Sequence, residues 1–269
     1  FTADTTAPRL VAFSADMSAG TLTLNFDEPV NASSLVAAGS FVLQDASTAT
    51  HTVTLTGGST ASNNGLQVVL QMINSDLNLV KANENLYVSL ATAFLTITPS
   101  AIADMNAQPV AAIVDGAGLQ ASAFVNDTVR PSLVAFDLDM STGILTLEFS
   151  ETMASTTFDV TQLTLQSSSN SSVSGAQAHA LGTGSSVTTS APSPALSVQL
   201  GRADLNRLKQ LNIARSSSST WLVMTASAGV DQNAEQVQPL LDGVTARQVR
   251  VYTADTVAPV LEGFSLDLT

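Results

Sequence analysis

The chain of 269 residues contains no cysteine. Disulfides, thiolate catalysis and cysteine-based zinc sites are therefore excluded together. Histidine is nearly absent too: His51 and His179 stand far apart and offer little to an imidazole-based metal site. Cations are few, nine Lys and Arg against 22 Asp and Glu, for a formal charge of −13. Nucleic acid and anionic membrane surfaces both demand clustered cations, so neither is an expected partner. Aromatic residues make up only 5% of the chain, which gives little support to a sugar-stacking face. No apolar run approaches the roughly 18 residues of a membrane-crossing helix, so no membrane insertion is expected in this segment. The chain opens on Phe1, without a basic segment followed by an apolar one. It is therefore read as a piece of a longer protein, with no signal peptide inside it.

What is present is an internal repeat, and it organises everything else. Residues 4–35 and 127–158 align without a gap and are identical at half of their positions. A third copy of the opening begins at Asp255. Pro8, Pro131 and Pro259 mark the three copies, 123 and then 128 residues apart. Weaker matches continue: Asp76, Leu77, Asn78 and Lys81 return as Asp204, Leu205, Asn206 and Lys209. Asp104 returns as Asp231, and Asp115-Gly116 as Asp242-Gly243. The expected organisation is the end of a preceding repeat at 1–3, repeats at 4–126 and 127–254, and the first strand of a third at 255–269.

The pattern inside each unit is β. Residues 21–26 and 144–149 alternate polar and apolar side chains, which sends Leu22, Leu24 and Phe26, and then Leu145, Leu147 and Phe149, toward a core. Met17–Gly20 and Met140–Gly143 read as tight turns whose glycine takes positive φ. Further strands are predicted over 40–44, 66–72, 86–90 and 121–125, with counterparts at 162–166, 196–200, 221–225 and 248–252. This alignment sets Trp221 opposite Tyr87. Asp76 and Asp204 are expected to cap a single helical turn. The Ser/Thr/Gly-rich stretches 45–65 and 167–195 read as long exposed loops. Seven or so short strands in about 125 residues predict an all-β fold of tandem immunoglobulin-like β-sandwich units.

The Asp-Thr-x-x-Pro opening and the Gly-x-Leu-x-Leu-x-Phe strand followed by Glu28 or Glu151 resemble the Ig-like repeats of microbial and protist surface proteins, of the S-layer Ig-like type. Phe149-Ser150-Glu151 matches that pattern fully; Phe26-Asp27-Glu28 departs at its middle residue, and the closing turns at Asp104 and Asp231 are altered. A similarity to filament proteins such as flagellar mastigonemes is also noted. The resemblance implies an extracellular structural or adhesive role without chemistry.

Acids that return in each unit are candidates for calcium, which gathers six to eight oxygen ligands and often sits where two domains meet. Asp127, Asp139, Glu151 and Asp231 are the candidate ligands; the competing expectation is that each aspartate caps a turn. Asn31, Asn126 and Asn170 head Asn-x-Ser/Thr sequons, acceptor sites for N-glycans in a secreted eukaryotic protein. No Gly-x-Ser-x-Gly motif occurs and neither histidine has a partner marked by sequence, so no enzyme is expected. The function read from these features is a structural extracellular repeat protein, self-associating into a filament, cell-surface appendage or surface layer. The alternatives are the stalk of a calcium-stabilised adhesin and a carbohydrate-binding module of a secreted protein.

Overall fold

The computed structural model describes residues 4–258, 260–267 and 269. The expected end of a preceding repeat at 1–3 lies outside the described residues, as do Pro259 and Leu268 of the third copy.

The chain is mostly β. In the first unit, β1 (Leu10–Asp16) and β2 (Thr21–Asn31) form an antiparallel hairpin through the Met17–Gly20 turn. They are followed by β3 (Phe41–Gln44), β4 (Thr52–Thr54), β5 (Gly58–Ser59) and β6 (Gly65–Met72). Helix α1 (Asn74–Lys81) comes next, then β7 (Phe94–Ile97), β8 (Ala103–Asp104), β9 (Leu119–Gln120) and β10 (Ala123–Val125). One sheet has the order β10-β1-β2-β6-β5, with β8 also on β2; the other is β4-β3-β7-β9. The last strand runs parallel to the first, with Ser14 opposite Ala123.

The second unit repeats this plan. Its strands are β11 (Leu133–Asp139), β12 (Ile144–Met153), β13 (Leu163–Gln166), β14 (Ala178–Ala180), β15 (Ser186–Val187) and β16 (Ser193–Gln199). After α2 (Arg202–Gln210) come β17 (Trp221–Met224), β18 (Arg247–Gln248) and β19 (Val251–Thr253). The sheets are β15-β16-β12-β11-β19 and β14-β13-β17-β18. Even the register slip in the first hairpin recurs, between Leu10 and Ala12 and between Leu133 and Ala135.

Strand alternation explains the cores. Leu22, Leu24 and Phe26 are buried with Phe41, Leu43 and Leu95 of the facing sheet. Leu145, Leu147 and Phe149 are buried in a separate core with Leu163, Leu165 and Leu222. Each core gathers residues from both sheets of its own unit, as two layers closed over one apolar interior require.

Several expectations are corrected. Residues 86–90 form no strand: Tyr87 takes a positive φ of 55°, a conformation incompatible with an extended ladder, and Ser89 and Thr92 close a capping box around a short 3-10 turn. The matching box is Ser216 and Ser219, preceded by Ala214 at φ 55°. The counterpart of Tyr87 is thus Ala214, and Trp221 corresponds to Phe94, at the start of β7. Trp221 and Val223 alternate with the buried Leu222 and Met224, so Trp221 lies on the face away from the core. The predicted strand at 248–252 splits into β18, which joins one sheet, and β19, which joins the other. The stretches 45–65 and 167–195 are not loops throughout. They carry β4 and β5, and β14, β15 and the start of β16, and bury Leu55 and Leu181.

The helices are longer than a single turn, and their aspartates are not caps. Ile73 and Gly201 hold the N-cap positions. Asp76, within the first turn, turns its carboxylate to the loop after β4, accepting from Thr56 N and Oγ1, both at 2.7 Å, and from Gly57 N. Asp204 does the same for Gly182 N and Ser185 Oγ. Residues 254–258, 260–267 and 269 form no strand, and Leu261, Phe264 and Leu266 are exposed.

Candidate functional site

The most concentrated chemistry lies where the first unit meets the second. Three elements build it. Asp127 sits in the short connection after β10, and its Oδ1 accepts from Val129 N, an Asx turn that sets the carboxylate's direction. Glu151 lies in the last part of β12. Asp231 shapes a tight turn, its Oδ1 accepting from Asn233 N and Glu235 N, both at 2.8 Å, with Ala234 at φ 65°. All three residues are buried, and one oxygen from each lies within 4.8 Å of the others.

A cation from the first unit enters this acid cluster. Lys81, in the last turn of α1, places Nζ 2.6 Å from Asp127 Oδ2 and 2.6 Å from Glu151 Oε2. Its side chain is only 7% exposed. Three further bonds hold the same junction. Thr152 Oγ1, next to Glu151, donates to Asn78 O on α1 at 3.0 Å. Ser18, in the β1–β2 turn, donates to Asn126 O and accepts from Thr128 N at 2.9 Å, so the connection is tied to the first unit on both sides of Asp127.

The electrostatics follow from three carboxyl groups facing one ammonium in a buried place. Burial works against the charge on Lys81, but its bonds to Asp127 and Glu151 outweigh burial and hold its pKa above the ordinary value. Burial is the largest influence on Glu151, and with the nearby Asp127 it pushes the carboxyl up to about 7 against the pull of Lys81. Asp231 is also raised, by burial, against the bonds from Glu235 and Asn233. Glu151 therefore holds its proton to a higher pH than an ordinary carboxyl does.

Of the four calcium candidates, Asp127, Glu151 and Asp231 are brought together and Asp139 is not. Asp139 accepts from Ser141 N at 2.8 Å in the β11–β12 turn, and that bond holds its carboxyl low. This is the turn-capping role, the alternative to metal binding. The first unit carries the equivalent acid group, Asp4, Glu28 and Asp104. At the far end of the second unit, Lys209 Nζ lies 2.6 Å from Asp255 Oδ2, and Ser141 donates to Ala254 O and accepts from Thr256 N. The lysine is the functional residue that composition and motif reading passed over. The chain has two lysines in all, Lys81 and Lys209, and both occupy the same position of the repeat. That coincidence was visible in the sequence; its partner was not.

The sequon asparagines are placed as follows. Asn31 accepts from Ser33 N and Oγ at the end of β2. Asn126 is exposed, but its carbonyl is held by Ser18. Asn170, expected in an exposed loop, is half-buried beside Gly243 and accepts from Ser172 N. Each histidine bonds an aspartate at 2.8 Å, His51 with Asp45 and His179 with Asp204. In the second case Ser185 Oγ reaches the same carboxylate, not the imidazole, so the ring is not placed to accept the hydroxyl's proton.

Among the described residues, no helix is long and apolar enough to cross a membrane. No protein-family model matches the chain, and no curated protein matches it. A weak structural neighbour is the crystal structure of the S-layer protein rSbsC(31-844), at 13% sequence identity and a TM-score of 0.30, covering 73% of this chain and 26% of that one.

Proposed function

We propose that the chain is a segment of an extracellular structural repeat protein, in which tandem Ig-like β-sandwich units are locked end to end into a stiff rod. Such a rod serves a filament, a cell-surface appendage or a surface layer, and copies of it associate with one another. The observation that carries this reading is the burial of Lys81 of one unit between Asp127 and Glu151 of the next. Units that merely follow one another on a flexible tether need no buried ion pair, since relative motion is the default for domains with small polar interfaces. A three-point lock of lysine, Thr152 and Ser18 removes that freedom. The position of Lys209 against Asp255 supports the same lock as a property of the repeat, not of one junction.

Small-angle scattering in solution tests the proposal. The wild-type chain is expected to scatter as one elongated body of fixed length. Lys81→Ala is expected to shorten the mean end-to-end distance and broaden its distribution while each unit stays folded. A wild-type profile that already requires a broad ensemble of inter-unit angles refutes the rod.

The clustering of Asp127, Glu151 and Asp231 favours a second reading, the calcium-stabilised stalk of an adhesin. In that reading calcium shares or displaces the lysine at the same three carboxylates. A rise in melting temperature on adding calcium, lost in Asp231→Asn, is its expected signature.

A further inference from the structure

The cation buried at the junction is a primary amine, in a chain that otherwise uses arginine. Seven arginines stand against two lysines, and both lysines fall at one position of the repeat. For an ion pair with two carboxylates arginine is the stronger choice, since its planar fork matches carboxylate geometry and its charge is less strongly hydrated. Arg250 serves in that way, bonding Asp137 and Glu148. What lysine alone offers is an amine that can become a nucleophile. Lys81 Nζ lies 2.6 Å from Asp127 Oδ2 and 2.6 Å from Glu151 Oε2, and the three side chains are 7%, 1% and 6% exposed. An amine and two carboxyls held in contact, where water is excluded, are the reactants and the proton carrier of an amide condensation.

We infer that Lys81 and Asp127 become joined by an isopeptide bond that the folded chain forms for itself, with Glu151 carrying the protons. The inference rests on the junction described above, not on the extracellular role, and it makes the ion pair the state that precedes the bond. The ammonium first passes a proton to Asp127 Oδ2, which leaves a neutral amine against a carboxylic acid. The Nζ lone pair then attacks Asp127 Cγ, and the carbonyl electrons move to Oδ1, where Val129 N already donates at 3.1 Å. Glu151 Oε1 has no such donor, which makes Asp127 the electrophile and Glu151 the carrier. Glu151 accepts a proton from Nζ at Oε2, the oxygen to which Nζ already donates, and gives its own proton to Oδ2. The Cγ–Oδ2 bond breaks, Oδ2 leaves as water, and Glu151 ends in the protonation state in which it began. One amine and one carboxyl become one amide and one water, with nothing oxidised or reduced. Burial suits Glu151 to this part, because it keeps its proton to a higher pH than an ordinary carboxyl. The water leaves through a cleft of about 260 Å³ lined by Lys81, Asn126, Asp127 and Gln232. The bond ties α1 of the first unit to the connection that begins the second, a covalent tie in a chain that has no cysteine for a disulfide.

Intact-mass spectrometry of the full chain, folded first and then denatured, tests this. The wild-type chain is expected to be lighter than its sequence by one water molecule, and a fragmented digest to place the loss on a branched peptide joining Lys81 to Asp127. Lys81→Arg keeps the charge but removes the amine, and Asp127→Ala removes the electrophile; both are expected at full mass. Glu151→Gln is expected to slow bond formation roughly a hundredfold or more while circular dichroism shows the fold retained. A wild-type chain still at full mass after prolonged incubation in the folded state overturns the inference. So does a water loss that persists in Lys81→Arg, as Asp115-Gly116 or Asp242-Gly243 would give on closing to a succinimide. Bond formation at an unchanged rate in folded Glu151→Gln overturns the part given to Glu151. A chain that keeps its full mass yet scatters as a body of fixed length leaves the ion-paired rod standing, because scattering reads stiffness and mass reads the bond.

Discussion

An ion pair's worth depends on where it is. Exposed pairs contribute about 0–1 kcal/mol, whereas removing one partner of a buried pair costs roughly 3–5 kcal/mol, because the other charge is left without compensation. Lys81 belongs to the second kind, and its loss leaves Asp127 and Glu151 facing each other in a buried site. Glu151 also sets a pH dependence. Its ordinary pKa is 4.5 and its folded value about 7, raised chiefly by burial. Below 4.5 the carboxyl is protonated whether the chain is folded or not. Between 4.5 and 7 the folded state keeps a proton that the unfolded state has released, so this group's contribution to stability falls as pH rises through that window. Groups held low, such as Asp137 by its bonds to Arg250, act in the opposite direction and at lower pH. The melting temperature is therefore expected to decline between pH 4.5 and 7, and Glu151→Gln to flatten the decline. An equal slope in the variant removes Glu151 as its source.

At the scale of elements, each hairpin turn is pressed against the helix that carries the lysine. Gly143 has φ 71°, and a Cβ there would lie 2.9 Å from Leu205 Cδ1 of α2; Gly20 is in the same position against Leu77 of α1. Only glycine meets both demands, the left-handed backbone and the close approach. Gly143→Ala is expected to cost about 1–2 kcal/mol for the backbone conformation alone, and more once Leu205 must move. Gly175→Ala is the control, since it has φ 83° but nothing within 4 Å of the new Cβ. Urea unfolding should show the first variant clearly less stable than the second; equal losses mean that the helix contact is unimportant. Asp76 and Asp204 are buried in their helices against other loops, at Thr56–Gly57 and at Gly182–Ser185. They tie a neighbouring loop to the helix instead of capping it, and so set the helix axis that aims Lys81 and Lys209.

At the scale of the whole molecule, two separate cores are coupled through a small polar junction. Stability in such an array is a sum of unit terms and nearest-neighbour terms. The nearest-neighbour term here is concentrated in Lys81, Thr152 and Ser18. Calorimetry of the wild-type chain is expected to show the two units unfolding in one coupled transition. Lys81→Ala is expected to resolve it into two, with the second unit shifted because its acid cluster has lost the ammonium. Two resolved transitions already in the wild type show that the junction contributes little.

The repeat, the all-β character, the inward faces of β2 and β12 and the absence of cysteine chemistry were legible in the sequence alone. These are local properties: a period of two along a strand, an identity between aligned segments, a count of residue types. The acids at Asp127, Glu151 and Asp231 were legible as recurring residues, and their convergence followed the repeat. Their partner was not legible, because Lys81 is separated from Glu151 by 70 residues and belongs to another unit. The strand over 86–90, the caps at Asp76 and Asp204 and the pairing of Trp221 with Tyr87 failed for a related reason. In each case local propensity met a tertiary demand: a left-handed residue at Tyr87, a loop that needed a buried acceptor, a capping box that shifted the alignment. Composition settles which chemistries the chain can perform, since a residue type that is absent cannot act. The cluster with its lysine exists only once two units are folded and joined, because charge pairing depends on distance in space and not on distance along the chain.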